Sequence, residues 1–231
     1  MTSTIQEEAE IKKLIQRENK VKRVIIFAFG IVVCIAFLKN KLIFKPYEYI
    51  ESFSNIPDPI QEDTNGKITK TIDNVDFDIN YVAKYSISGL AVDVQKYFDF
   101  EYGKLSPVDV GISWGFLVDE NDRISWLSKG TRFLNFQTKD TTWYRSVGYD
   151  KINEHFSNNH LIPADKKIDK AIKNIKKGDF IKLEGYLVRA YWQDQRGYHY
   201  RWESSTSRQD QGDGACEIIY VTNVTWLKEK S

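Results

Sequence analysis

The chain has 231 residues, with 33 Lys and Arg set against 32 Asp and Glu, and a formal net charge of +1 at pH 7. Its 42 % apolar and 28 % charged content is that of an ordinary globular protein with enough apolar residues to build a core. The balance argues against the basic face that phosphate-tracking nucleic-acid binding requires, and two cysteines, Cys34 and Cys216, leave no disulfide framework to read.

Residues 1–23 read as a cytoplasmic segment. Ile5, Ile11, Leu14 and Ile15 recur with a partial helical period, and Thr4 and Glu7 have capping-box spacing. Val24 to Leu38, VIIFAFGIVVCIAFL, then carries no charge. A membrane helix takes about 20 apolar residues. The run reaches that length through Leu42, Ile43 and Phe44, while flanking lysines extend their charged ends to the headgroups. Residues 24–44 are therefore expected to be a single-pass transmembrane anchor. The charges on both flanks argue against a cleaved signal peptide. Six basic residues precede the span and three follow closely, so the N-terminus is expected in the cytoplasm of a bacterial cell and the remainder outside the inner membrane. Of the basic residues 25, and of the acidic ones 28, follow Phe44, a balance of −3 for that portion.

Residues 45–66 carry Pro46, Pro57 and Pro59 among polar groups and read as a linker. An extracytoplasmic α+β domain is then expected over 67–231. Strands are predicted over 67–72 and 75–82 from alternation and β-branching, 85–100 reads as a mostly extended or mixed run, 105–115 couples a Ser-Pro turn to a short apolar run, and 124–127, 131–138 and 142–147 continue as short strands. Two short helices follow. The first is expected over 150–156. The second begins at Asp165 and puts Ile168, Ala171, Ile172 and Ile175 on one face before Gly178. Between them, Asn158 to Pro163 reads as a helix exit whose corner His160 braces. In the last third Ile181, Leu183 and Leu187 alternate with polar residues, and Gly185 allows the bend of a strongly coiled strand. Asp194 to Gly197 reads as a hairpin turn, 198–203 as a strand, 204–214 as a polar loop and 216–224 as the closing strand. The fold class is a mainly antiparallel, small-barrel-like sheet.

The strings LSPVDVGISWG, NNHLIPA, KKGDFIKLEGYLV and SSTSRQDQGDGACEIIYV together resemble a group of bacterial single-pass, membrane-anchored proteins, over about residues 100–225. The resemblance implies an envelope setting and brings no activity. Separately, Ile175 to Val188 is similar to the GDxVxLxGxLV strand of many small OB-like barrels.

The densest chemistry lies in the loop Ser204 to Glu217. A catalytic reading pairs Cys216 as nucleophile with His160 as base and Asp213 or Asp210 as orienter. The competing reading makes Cys216 a small buried group sharing a strand face with Ile218 and Tyr220. Arg208, Asp210, Ser205 and Trp202 are candidate ligand contacts. Arg208 would hold an anion or clamp an acid, and Trp202 belongs to an aromatic platform with Tyr198 and Tyr200. No metal site is expected, since His155, His160 and His199 lack zinc spacing and the acidic loop lacks the EF-hand pattern. No cofactor is expected. The leading functional expectation is a membrane-tethered binding or envelope-interaction module for an envelope protein, glycan or peptide, rather than an enzyme. The alternative is an extracytoplasmic cysteine hydrolase or transpeptidase.

Overall fold

The structure is a computed structural model that describes residues 17–18, 20–31, 45–98, 102–128, 132–207 and 216–230. The chain divides into two compact units, Met1–Phe44 and Lys45–Ser231. In the first, residues 20–31 are helical and Glu18 pairs with Lys22 at 3.1 Å. Among the described residues no helix is long and apolar enough to cross a membrane. The remainder of the expected anchor, with Cys34, lies outside the described residues, as does most of the expected cytoplasmic helix.

The second unit is α+β and mostly antiparallel. Its strands are β1 (Tyr47–Ile50), β2 (Ile60–Ile72), β3 (Val75–Lys96), β4 (Val108–Ser113), β5 (Ser125–Leu127), β6 (Asn135–Gln137), β7 (Phe156–Pro163), β8 (Phe180–Gln193), β9 (His199–Glu203) and β10 (Glu217–Glu229). All but β5 and β6, which pair only with each other, belong to one sheet. Within it β3, β4, β7, β10 and β8 pair in turn and β8 returns to β3, so these five strands form a closed circuit. Every pairing in the circuit is antiparallel except β7 with β10.

Closure rests on β8, which serves two neighbours at once. Gly185 is opposite Tyr85 of β3 and Val221 of β10. A Cβ at Gly185 would lie 2.0 Å from the Tyr220 carbonyl oxygen, so only glycine permits this approach. Irregular register between Val221 and Asn223 on β10, and between Tyr81 and Ala83 on β3, adds local bend and twist on either side. The inner face carries Val110, Ile112, Leu161, Leu183, Leu187 and Ile219, all buried in one core cluster. The helix Lys166–Ile172, between β7 and β8, adds Ile168 and Ile172 to that cluster. Asp165 caps its first turn through the Lys167 and Ile168 amides, as expected.

Several sequence expectations are corrected. The presumed linker is part of the fold: β1 pairs in parallel with β10, and β2 starts at Ile60. Alternation was too weak there to show a short strand whose partner lies at the other end of the chain. The expected strand 142–147 is the helix Thr141–Val147, because Asp140 caps it through Trp143 N and the spacing of Trp143, Tyr144 and Val147 suits packing on a third core cluster. The expected helix 150–156 stops at Asn153, and β7 follows at once. Asn158 and His160 are thus strand residues, because β4 supplies ladder partners to both and β10 one to His160, which outweigh the local turn signal.

Candidate functional site

Three of the four strings singled out in the sequence meet on the outer face of β4, β7 and β10. Asp109 of β4 is directly opposite His160 of β7, and His160 is opposite Ile218 of β10. Two residues before Ile218 comes Cys216. Adjacent strand residues point to opposite faces, so Leu161 and Val110 go to the inner core while Asp109 and His160 face outward.

Both outward groups are nonetheless buried, with Asp109 2 % and His160 3 % exposed. The imidazole Nδ1 lies 2.9 Å from Asp109 Oδ1, at ion-pair distance but out of line for a hydrogen bond. Asp109 Oδ1 also accepts from Arg132 Nη1 at 3.1 Å, and Asp109 Oδ2 has no hydrogen-bond partner among the described residues. Burying a carboxylate is tolerated only when charge and hydrogen bonds compensate it, which Arg132 does here.

Arg132 comes from the segment that crosses β4. Room for that segment is made by Gly111, whose Cβ would sit 2.5 Å from Leu134 Cδ2. The Arg132 guanidinium packs 3.8 Å over the Tyr97 ring and 5.6 Å from that of Trp202, and Nη2 donates to the Ser106 carbonyl at 3.3 Å. Its backbone N–H donates to the Tyr97 hydroxyl, and its carbonyl accepts from Asn158 Nδ2. Arg132 takes a positive φ of 59° to do this, a strained conformation for a residue with a side chain. Burial first, and the Asp109 carboxylate second, push the Tyr97 hydroxyl up to about 12.

Trp202 of β9 packs its ring 4.8 Å from the His160 imidazole and meets Tyr102 edge-on at 4.9 Å. The aromatic platform is thus partly buried as a cover over His160, with Tyr198 exposed at its edge. Ser205 is buried, with its N–H bonded to the Cys216 carbonyl and its hydroxyl to the Ser207 carbonyl. Cys216 is partly exposed, not enclosed in a strand. Its Sγ lies 3.6 Å from Asn158 Nδ2 and 4.0 Å from the Arg132 carbonyl oxygen. Arg208, Asp210 and Asp213 lie outside the described residues. Among the described residues no group of His, Cys, Asp or Glu side chains is placed to hold a metal ion.

Asp109, Arg132, Asn158 and Tyr97 escaped the sequence reading. Asp109 left one signal: it is the single charge in the otherwise apolar run Val108 to Ile112. The others are recruited by tertiary contact alone.

A separate groove of about 910 Å³ lies on the outside of β3, β8 and β10, walled by β1 and the turn after it. Its carboxylates are Glu48, Glu51, Asp58, Glu62 and Glu184, its cations Lys84 and Lys182. Lys182 lies 3.4 Å from Glu48 and 3.6 Å from Glu184, and Lys84 lies 3.2 Å from Glu62. Tyr85, Tyr186 and Asn223 also line it. Comparison with protein families, with curated proteins and with solved structures returned no match to this chain.

Proposed function

We propose that the chain is a membrane-tethered, extracytoplasmic binding module built on an OB-like barrel, with the groove beside β1 as its ligand site. Support for the barrel reading is the circuit β3–β4–β7–β10–β8, with one parallel pairing between β7 and β10 and a helix between β7 and β8. Support for the tether is the uncharged run from Val24 to Leu38, of which Val24, Ile25, Ile26, Phe27 and Phe29 are exposed. The charge asymmetry about that run supports an extracytoplasmic position for the larger unit.

The observation that carries the binding reading is the groove itself. Its size lies in the range of ligand sites, and it offers donors, acceptors and the partly exposed Tyr186 ring. Five carboxylates against two lysines favour an extended polar ligand that carries amino groups, a peptide or an amino-bearing glycan of the envelope. Isothermal titration of the full chain with a lysine-containing pentapeptide and with chitosan oligomers tests it. Binding that weakens as salt rises, and falls at least about tenfold in Glu184→Gln/Glu48→Gln, is the expected result. Binding of neither probe at millimolar concentration refutes the reading.

A further inference from the structure

We infer that the end of the barrel at which the chain enters β1 is a docking face for an anionic lipid bilayer, built from Tyr47, Tyr49, Lys176, Lys177 and Lys228. The inference rests on the tethered reading above. With 24–44 as the span, the chain leaves the bilayer at Lys45, and Tyr47 follows at once. Each residue extends the chain by at most about 3.6 Å, so Tyr47 lies within roughly 11 Å of the end of the span. Chain length therefore selects the bilayer itself as the occupant of this face.

β1 is two-sided. Glu48 and Ile50 line the groove, whereas Tyr47 and Tyr49, 48 % and 60 % exposed, alternate to the other face. Lys228 of β10 is opposite Tyr49 and holds its ammonium 3.7 Å over the Tyr47 ring. Trp226 is opposite Tyr47, and its indole Nε1 donates to Asp179 Oδ2 at 2.8 Å. The same carboxylate accepts from the Lys176 backbone N–H at 3.0 Å and pairs with Lys45 at 3.3 Å. Asp179 thus fixes the turn before β8 beside the start of β1, and Lys176 and Lys177 of that turn are exposed.

The chemistry of the face suits a headgroup layer. Tyrosine settles where hydrocarbon meets headgroups, because its ring is apolar and its hydroxyl finds polar partners. Lysines are drawn to anionic headgroups within a Debye length, about 10 Å at 0.1 M salt. Nearby carboxylates are engaged elsewhere: Asp179 by Lys45 and Trp226, Glu51 by Lys230, Glu229 by the Phe53 N–H, and Glu48 on the groove side by Lys182. Lys176, Lys177 and Lys228 have no ion-pair partner among the described residues. Because Glu48 and Ile50 lie on the reverse of the same strand, docking holds the β1 wall of the groove next to the bilayer and directs the groove to ligands in the membrane-proximal layer.

The test uses the full chain reconstituted into vesicles of phosphatidylcholine alone, or with enough phosphatidylglycerol to bring the surface to about −30 mV, at about 0.1 M NaCl. Reductive methylation with formaldehyde and dimethylamine–borane, both uncharged, reads lysine access by mass spectrometry, and flotation is recorded in parallel. Lys67 is the internal reference. It is opposite Asn80 and level with Arg189, roughly 25 Å along β8 from Ile181, the partner of Trp226. Relative to Lys67, methylation of Lys176 and Lys177 should be at least about tenfold slower in the anionic vesicles than in the neutral ones, and about 1 M NaCl should remove the difference. Proximity without docking slows an amine only about threefold at that potential, through the lower surface pH. Tyr47→Ser/Tyr49→Ser alters neither lysine and should bring the difference down to that level. Flotation with both kinds of vesicle, combined with a difference of about threefold or less in the unsubstituted protein, overturns the inference and leaves the groove reading intact. Slowing that survives in the tyrosine variant overturns it as well, and so does equal slowing in both vesicles and in detergent micelles, which would place a second copy on this face. A chain that does not float with neutral vesicles removes the tether and this inference together, while the pentapeptide titration still judges the groove.

Discussion

Gly185→Ala probes the closure of the sheet directly. The added Cβ would sit 2.0 Å from the Tyr220 carbonyl oxygen, 2.9 Å from its carbonyl carbon and 3.1 Å from Val221 Cα, whereas ordinary contact begins near 3.4 Å. All three are backbone atoms of β10, so no side chain can rotate away and the strands must separate by more than 1 Å. Separation at that point strains the β8–β10 ladder on both sides, from Leu187 with Ile219 to Ile181 with Trp226. Overpacking of a core costs about 1–3 kcal/mol when side chains can adjust. With backbone on both sides the expected loss is about 3–5 kcal/mol, a large fraction of an ordinary stability of about 5–15 kcal/mol. For a unit of this size the melting temperature should fall by about 6–20 °C. Urea unfolding of the protein followed by tryptophan fluorescence measures it, with Gly178→Ala as reference. Gly178 has open space but φ +91°, so its loss should be about 1–2 kcal/mol from conformation alone. A Gly185→Ala loss no larger than that of the reference would show that β8 does not approach β10 this closely and that the circuit is open.

Arg132→Met leaves the Asp109 carboxylate buried without its cation, and a loss of about 3–5 kcal/mol is expected. The double variant Arg132→Met/Asp109→Leu should regain at least half of it in the same unfolding assay; no recovery would mean that Arg132 acts through packing on Tyr97 and Trp202 alone. Tyr97 titrates at about 12 in the folded protein against 10.0 ordinarily, so its share of stability is complete below pH 10 and is lost as pH rises from about 10 to 12. Tyr81, Tyr191 and Tyr220 are also shifted upward, so the informative quantity is the difference between Tyr97→Phe and the unsubstituted protein. The variant should lose stability less steeply over that window, and identical slopes would contradict the burial of the hydroxyl beside Asp109.

What the order of residues determined by itself is local. The alternation of Ile181, Leu183 and Leu187 announced β8 and its inner face, Gly185 its bend, and Asp165 the start of a helix. Each is a property of neighbours within one element, where side-chain period, backbone freedom and capping act over a few residues. Where long-range pairing competed with local preference, only the tertiary structure decided. Asn158 to His160 carry turn-forming residues yet extend, because β4 supplies ladder partners to all three and β10 to Asn159 and His160. Tyr47 to Ile50 follow a proline and look like tether, yet complete the sheet against the far end of the chain. The same holds for the chemistry. His160 and Cys216 drew attention as residue types, but their strand neighbours came from the fold. Asp109, 51 positions before His160, comes opposite it only through the antiparallel register of β4 with β7, and Arg132 reaches Asp109 because Gly111 leaves room for its segment to cross. Backbone hydrogen bonding between distant segments sets that register, and no single segment carries it.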